Sequence, residues 1–158
     1  MKKYEFTGET KRVELWNRTA TLHRIKATVE FGFVKVGELG GWIEKEENLS
    51  HEGKAWVCGD AKVCGDAKVW GNANVCGNAE VFLASHVLVM GSVGSRNDFT
   101  TFFRDKDNEI TVKCGCFLGK IDKFLEKVTQ THGNNKYALV YRAAVEVAKL
   151  QIELTERK

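Results

Sequence analysis

The chain has 158 residues, of which 43% are hydrophobic and 28% charged, and its formal net charge is +3. This composition is typical of an ordinary globular domain, and the longest apolar runs are too short to cross a bilayer. Acidic residues alternate with the basic ones along the chain, so the charge gives no reason to expect duplex nucleic acid as a partner.

The amino-terminal stretch has basic residues but no apolar segment after them, so we expect no signal peptide and a cytoplasmic protein. An odd number of cysteines in such a chain favours free thiols in a reducing compartment, and we therefore expect no disulfide framework. The five cysteines are Cys58, Cys64, Cys76, Cys114 and Cys116.

Residues 1–36 alternate apolar and polar side chains in the stretches 4–6, 13–15 and 21–27, with breaks at Gly8 and Asn17. This alternation predicts β structure. The end of a repeat array exposes unpaired backbone groups and apolar interior. We therefore expect residues 1–36 to cap the repeat that follows.

A six-residue phrase, Ala-x-Val-x-Gly-Asp/Asn, dominates the middle of the chain. Six is a multiple of the strand period of two but not of the helical period, so Ala and Val share one side of a short strand and Gly turns the chain. Degenerate hexads precede this run, with Ile43 and Leu49 in the Ala position. The regular hexads begin at Ala55, Ala61, Ala67, Ala73 and Ala79.

These hexads resemble the hexapeptide repeat of left-handed parallel β-helix proteins. The resemblance implies three hexads in each turn, so the ten hexads of residues 37–96 would form about three coils. It also implies a homotrimer with the helix axes side by side.

The residue after each Val points outward by strand alternation, and none of these residues is charged. A solvated face would carry charged or polar residues there, so we expect a partner subunit or the carboxy-terminal segment of this chain to cover it. Residues 18 apart are expected to stack, which pairs Cys58 with Cys76, Cys64 with Phe82, and Trp70 with Leu88.

Residues 97–158 have a different pattern and are predicted to form a ββαα module. The stretches 99–104 and 110–113 are strand-like and are joined by a polar turn at 105–108. Helical periodicity begins at Ile121 and stops at Gly133, and a second helix is expected over about 136–156. The predicted fold is thus mainly β: a short left-handed β-helix between an amino-terminal β cap and this module.

Two catalytic or metal-binding interpretations are weak. The hexapeptide resemblance implies acyl transfer with a histidine as general base, and the candidates are His86 and His51. Neither lies in a recognisable acyltransferase context. Cys114 and Cys116 with His132 offer only three soft ligands at an unusual spacing, so buried structural thiols are the preferred interpretation. We expect no metal and no cofactor.

An anion site is the third candidate. The stretch 115–119 connects a predicted strand to a predicted helix start, where backbone amides and the helix dipole favour negative charge. Its two glycines are equally consistent with tight packing alone. The candidate ligand-binding residues are Arg96, Asn97, Arg104, Lys113, Gly115, Cys116, Gly119, Lys120, His132, Lys136 and Tyr137.

A resemblance also extends over the whole chain, to hexapeptide-repeat proteins encoded by bacteriophages and prophages. It is carried by Tyr-Glu-Phe-Thr-Gly-Glu at 4–9, Gly-Glu-Leu-Gly-Gly-Trp-Ile-Glu at 37–44, the hexads, and Cys-Gly-Cys-Phe-x-Gly at 114–119. It implies the host cytoplasm as the location. By analogy with small symmetric phage proteins, it favours a non-catalytic homotrimer that sequesters a small anionic, nucleotide-like immune signal. An acyl-CoA-dependent acyltransferase and a purely structural assembly protein are the alternatives.

Overall fold

The computed structural model describes residues 2–154, which form eleven strands and two α-helices. The chain is mainly β with two carboxy-terminal helices, as predicted. Short 3-10 turns lie at Glu46–Asn48 and Ala84–His86. The strands and helices are Tyr4–Glu14 (β1), Thr19–Ala27 (β2), Leu39–Ile43 (β3), Trp56–Val57 (β4), Lys62–Val63 (β5), Asn74–Val75 (β6), Glu80–Val81 (β7), Val87–Val93 (β8), Asp98–Arg104 (β9), Ile110–Cys114 (β10), Phe117–Lys120 (β11), Ile121–His132 (α1) and Lys136–Gln151 (α2).

Strands of the regular hexads pair in parallel with strands 18 residues further along. Trp56 lies opposite Asn74, and Lys62 lies opposite Glu80. Backbone hydrogen bonds follow the same interval, since the Cys58 amide donates to the Val75 carbonyl at 2.9 Å. The inward Ala and Val residues are fully buried or nearly so, which confirms their predicted shared side. These residues are Ala55, Ala61, Ala67, Ala73, Ala79, Val57, Val63, Val69, Val75 and Val81.

The hexad phase predicted for residues 37–54 is wrong. Ile43 pairs with Val63, and Leu49 forms a bridge with Val69, so both occupy Val positions and not Ala positions. The interval here is 20 residues, because the turn between Leu49 and Ala55 contains two residues more than a regular hexad allows. Backbone pairing determines which residues lie opposite each other. Counting back in steps of six residues therefore does not detect the two extra residues in this turn.

The amino-terminal segment forms a β1–β2 hairpin that closes the first end of the repeat, as predicted. β2 pairs antiparallel with β3 and extends the sheet, whose order is β1-β2-β3-β5-β7. The buried Tyr4 hydroxyl donates to the Leu49 carbonyl at 2.6 Å, and the Lys3 Nζ donates to the Ala55 carbonyl at 2.7 Å. Gly8 does not break β1 but lies at a register shift within it.

The same hairpin also covers part of the outer face of the repeat. Cys64 and Phe82 are buried in a cluster with Leu22 and Trp42. The prediction that a partner or the carboxy-terminal segment covers this face is wrong for Cys64, whereas the Phe82 ring is covered both by the hairpin and by Arg104 of the carboxy-terminal segment, which lies 5.3 Å from the ring centroid. Leu88 packs instead in the carboxy-terminal core, whereas Trp70 remains 64% exposed.

Cys58 and Cys76 form a disulfide, which contradicts the expectation that all five thiols are free. The parallel register places their Cα atoms 4.7 Å apart on neighbouring hexads, within the range that a disulfide requires. Cys64, Cys114 and Cys116 remain free. The predicted stacking of residues 58 and 76 is thus confirmed. The odd number of cysteines gave no indication that these two would be bonded to each other.

The carboxy-terminal module is a four-stranded antiparallel sheet, in the order β11-β10-β9-β8, with α1 and α2 packed against it. The β9–β10 hairpin and both helices confirm the prediction. Two further strands were not predicted: β8, which lies within the predicted repeat, and β11, which lies within the predicted glycine loop. The shared core includes Phe102, Val112, Phe124, Tyr141 and Val145.

The β9–β10 turn closes the second end of the repeat. Arg104 Nη1 donates to the Glu80 carbonyl at 2.8 Å, and the Lys106 amide donates to the Asn78 carbonyl at 2.9 Å. Phe103 enters the repeat core. Within residues 2–154, no helix is long and apolar enough to span a membrane.

The disulfide gives a thiol count that is easily checked. We expect the protein, unfolded without reductant, to show three reactive thiols, and five after reduction, as measured with a thiol-specific chromogenic reagent. Replacing both Cys58 and Cys76 with serine should lower the free energy of unfolding by about 2–3 kcal/mol, because an 18-residue loop is no longer closed in the unfolded chain. Five reactive thiols before reduction would contradict the disulfide.

Candidate functional site

A cavity of about 140 Å³ lies inside the carboxy-terminal module. It lies between the segment 94–98, which contains the β8–β9 turn and the first residue of β9, the tip of the β10–β11 hairpin, and the facing sides of α1 and α2, and it is open to solvent on one side. Its walls are largely apolar. The side chains that form these walls include Val93, Phe117, Phe124, Val128 and Tyr141.

Tyr141 forms the centre of the aromatic wall. Its ring packs edge-on against Phe124 with centroids 5.6 Å apart and lies nearly parallel to His132 at 5.9 Å. Its hydroxyl contacts Gly94, where a Cβ would overlap the oxygen. Gly94 also has a φ of +79°, so the turn needs glycine for both its conformation and its contact with Tyr141.

The rim of the cavity carries basic side chains. Arg96, Lys127 and His132 line it, and Asp98 is the one acidic residue among the described residues that do so. Arg96 lies over Gly115, with Nη1 3.0 Å from the position that a Cβ would occupy there. Within residues 2–154, Arg96 and Lys127 have no hydrogen-bond or ion-pair partner. Two permanent positive charges therefore face the opening unpaired.

A larger groove of about 1110 Å³ adjoins this cavity. Its floor is the outer face of the repeat at Trp56, Asn74 and the disulfide. One wall is the turn at 31–34, and the other is the sheet of the carboxy-terminal module. The cavity and the groove share Arg96, Asp98, Gly115 and Cys116.

The structure brings together four of the predicted site residues at the cavity: Arg96, Gly115, Cys116 and His132. Lys113 lines only the groove, and its Nζ donates to the Gly115 carbonyl. Tyr137 contacts the His132 ring, with centroids 5.7 Å apart, without lining the cavity. Asn97 lies in the turn at 94–98, where its carbonyl accepts a hydrogen bond from Ser92.

Three other candidates line neither the cavity nor the groove. Arg104 is buried at the end of the repeat, and its Nε donates to Asn108 at 3.1 Å. Lys120 Nζ contacts Asp105 at 2.8 Å, and two further carboxylates lie within 3.2 Å. Burial opposes the charge of Lys120, but the hydrogen bonds that its ammonium group donates to these carboxylates dominate and raise its pKa. Lys136 begins α2 and lines neither cavity in the described part of the chain.

The predicted glycine loop is a turn followed by a strand. Val112 pairs with Gly119 and Lys113 pairs with Leu118, so backbone groups expected to face an anion belong to the β10–β11 ladder. α1 begins only at Ile121, after β11. Gly115 still contributes, because its φ of +59° forms the turn and its missing side chain makes room for Arg96.

Several residues of the cavity were not predicted as site residues. Phe124 and Val128 follow the helical spacing of ordinary core residues, and Lys127 looks like an exposed lysine on a solvated helix face. The polar residues of the stretch 92–98, where the repeat ends, are a signal for Arg96. Nothing in that stretch indicates which helix residues face it.

The two candidate general bases have structural roles. His51 Nδ1 accepts the Lys3 amide at 3.0 Å, and its ring stacks on Tyr4. His86 is buried, and its Nδ1 accepts the amides of Phe82 and Leu83 at 3.0 and 3.1 Å. Burial, together with the charge of Arg104, lowers the pKa of His86 to about 4. Neither histidine lines a cavity described above.

Cys114 contacts the Thr100 hydroxyl, with the sulfur and oxygen 3.4 Å apart. Among residues 2–154 there is no group of three or more His, Cys, Asp or Glu side chains that could hold a metal ion. No family model matches the chain, and no curated protein does so either. The site must therefore be interpreted from its own geometry.

His86 should make the protein sensitive to acid. The unfolded chain binds a proton near pH 6.5, whereas the folded chain binds it only near pH 4, so stability is full above this interval and falls as the pH drops through it. We expect wild type to lose about 1–3 kcal/mol more unfolding free energy than His86→Asn between pH 7 and pH 4, measured by urea titration.

Asn is the matched replacement, because Asn48 occupies the corresponding position of the other 3-10 turn. Its Oδ1 accepts the Lys45 amide at 2.9 Å, as His86 Nδ1 accepts backbone amides. Equal losses of stability in wild type and His86→Asn would contradict the assigned role of the imidazole.

Proposed function

We propose that this protein is a non-catalytic binding protein that captures a small anionic, nucleotide-like ligand at the junction between the repeat and the carboxy-terminal module. One observation carries the proposal: a ring-sized aromatic cavity opens beside two basic side chains that have no partner within residues 2–154.

The size and lining of the cavity favour a planar ring. A dry cavity of about 150 Å³ in another protein accepts benzene, so the volume here is sufficient for one small ring. Stacking of a nucleobase on an aromatic side chain contributes about 1–3 kcal/mol. Phe117, the least buried aromatic side chain of the cavity wall, provides a surface for such stacking, beside the buried rings of Phe124 and Tyr141.

The charges at the opening favour a phosphate. A guanidinium group binds phosphate oxygens through two parallel hydrogen bonds, and Arg96 has no intramolecular acid that would compete. Lys127 approaches the same opening from α1. Asp98 would discriminate against groups with excess negative charge and offers an acceptor for a ribose hydroxyl or a base amino group.

The proposal includes the bacteriophage-type setting, in which the protein sequesters a nucleotide-like immune signal in the host cytoplasm. It also includes a short left-handed β-helix, predicted over residues 37–96, which the 18-residue parallel interval supports for the regular hexads. Residues 87–93 belong instead to β8 of the carboxy-terminal sheet. Acyl transfer gains no support, because His51 and His86 are both engaged by backbone amides.

Self-association as a homotrimer is also part of the proposal. The trimer was predicted to form through the outer face of the repeat. This face is mostly covered by the chain itself, and Trp70 is the main apolar residue that remains exposed on it. A second apolar surface lies on α2, formed by Leu139, Val147 and Leu150 and continued by Leu154. It faces away from the module core and is available for contact with another copy.

Ligand capture is tested by calorimetry with AMP, GMP, CMP, UMP, 3′,5′-cyclic AMP and ADP-ribose as probes. We expect at least one probe to bind, and the matching nucleoside without phosphate to bind at least tenfold more weakly. Arg96→Gln should weaken binding at least tenfold through loss of the forked phosphate contact.

The matched control is Arg12→Gln, which removes an exposed arginine of β1 that lines neither cavity. It should bind as wild type does. Absence of binding by every probe at millimolar concentration, or equal weakening by the two substitutions, would overturn the proposed function.

Assembly is tested by light scattering coupled to size exclusion. We expect a mass three times the chain mass of 17.8 kDa. Leu150→Ser removes the most exposed apolar side chain of α2, at 87%, and Trp70→Ser removes the main exposed apolar side chain of the repeat. If only one of the two variants dissociates into monomers, the surface that carries the substituted residue is the subunit interface. A monomeric wild type would contradict the trimer.

A further inference from the structure

We propose that the ligand carries two rings joined through a phosphate linkage, and thus belongs to the dinucleotide class. The first ring would occupy the 140 Å³ cavity, the linkage would lie at Arg96, and the second ring would lie in the adjoining groove. This inference rests on the proposed function and specifies its ligand.

The relative sizes of the two spaces provide the first argument. The cavity has room for one ring, whereas the groove has a volume of about 1110 Å³. A mononucleotide with its base in the cavity would leave most of the groove unfilled. Ligand pockets typically enclose most of the ligand surface, so a ligand that extends into the groove is a better match.

The boundary between the two spaces provides the second argument. Arg96, Asp98, Gly115 and Cys116 line both spaces, so a ligand that occupies both must pass Arg96. The guanidinium lies on Gly115, where a side chain would press against it. A phosphate linkage at this point would receive the forked hydrogen bonds that no acid within residues 2–154 takes up.

The distribution of charge in the groove provides the third argument. Asp98 lies at the Arg96 boundary, and Lys113 donates to the Gly115 carbonyl there; away from this boundary, Lys54 is matched by Glu38. The far part of the groove is therefore close to neutral, which disfavours a long polyanion such as a nucleoside triphosphate. A ligand whose charge is central and whose ends are rings matches this pattern.

Aromatic side chains in the groove supply surfaces for the second ring. Phe99 lies directly on the backbone of Gly91, where a Cβ would overlap its ring, and it also lines the groove. Across the groove, Phe33 is 98% exposed and lines the same space. A planar group between them would stack on aromatic faces, as bases do on single-stranded nucleic-acid binding proteins.

The backbone on either side of Phe33 is held in a tight turn. Phe31 and Val34 exchange backbone hydrogen bonds of 3.1 and 2.8 Å, which makes the turn at 31–34 tight. Phe31 is itself fixed edge-on against the buried Trp56, with centroids 5.3 Å apart. The turn thus places the backbone of Phe33 at the edge of the groove, and its exposed ring is accessible to a ligand there.

The test compares one-ring and two-ring probes by calorimetry. The probes are AMP and GMP, the linear dinucleotides pApA and pGpG, and NAD⁺. We expect at least one two-ring probe to bind tenfold or more tightly than its mononucleotide. Phe33→Ser should remove that advantage while changing mononucleotide affinity by less than twofold, and circular dichroism should confirm that the variant is folded.

The probes also separate the sources of the two-ring chemistry, since pApA and pGpG carry a phosphodiester and NAD⁺ carries a pyrophosphate. Phe6→Ser is the control, because Phe6 is exposed at 38% and lies outside both spaces. If mononucleotides bind and two-ring probes bind no more tightly, the inference is overturned and the proposed function stands. If no probe binds, the proposed function fails with it.

Discussion

The structure depends on the parallel backbone pairing of segments 18 residues apart. Such pairing provides hydrogen-bond partners for the backbone groups inside the repeat. At both ends it leaves unpaired amides and carbonyls and an open apolar core. The chain closes the first end with the β1–β2 hairpin and the second with the turn after β9. Both closures use side chains with long reach: Tyr4 and Lys3 at one end and Arg104 at the other.

These closures determine which polar side chains remain available for a ligand. Arg104 and Lys120 have the chemistry of anion-binding residues, but the first donates to a repeat carbonyl and the second is surrounded by carboxylates. Arg96, in the turn between β8 and β9, and Lys127, on α1, have no such task within residues 2–154. A candidate ligand-binding cation is therefore recognised by the absence of an internal partner in the described part of the chain, and composition cannot reveal that property.

The features best predicted from the sequence are those that follow from the two-residue alternation of a strand and the six-residue repeat. Alternation within each hexad identified the buried Ala and Val residues and the stacking of Cys58 on Cys76. It failed where backbone pairing overrides the count, as at Ile43 and Leu49. The alternation also did not predict which segment covers the outer face of the repeat. Nothing in residues 1–36 shows that the hairpin folds over Cys64 and Phe82 in addition to closing the end of the repeat.

The candidate site was also only partly predictable from the sequence, because turn residues have a distinct composition and cavity-lining helix residues do not. Arg96, Gly115, Cys116 and His132 stand at ends of strands and helices, where polar residues and glycines signal turns. Phe124 and Tyr141 face the cavity from helix interiors, and their spacing is the same as that of core residues. Only the packing of α1 and α2 against the sheet separates these two roles.

The position of the two spaces has a consequence for how a ligand would act on the fold. The cavity is lined by the carboxy-terminal module alone, whereas the groove contacts that module, the repeat at Trp56 and the turn at 31–34. A ligand confined to the cavity would oppose any unfolding that disrupts the module, by an amount that grows with the ratio of its concentration to its Kd. A ligand that also fills the groove would bridge all three segments, so its binding would oppose their separation as well as the unfolding of the module. The extent of the chain that a ligand protects therefore depends on whether it passes Arg96.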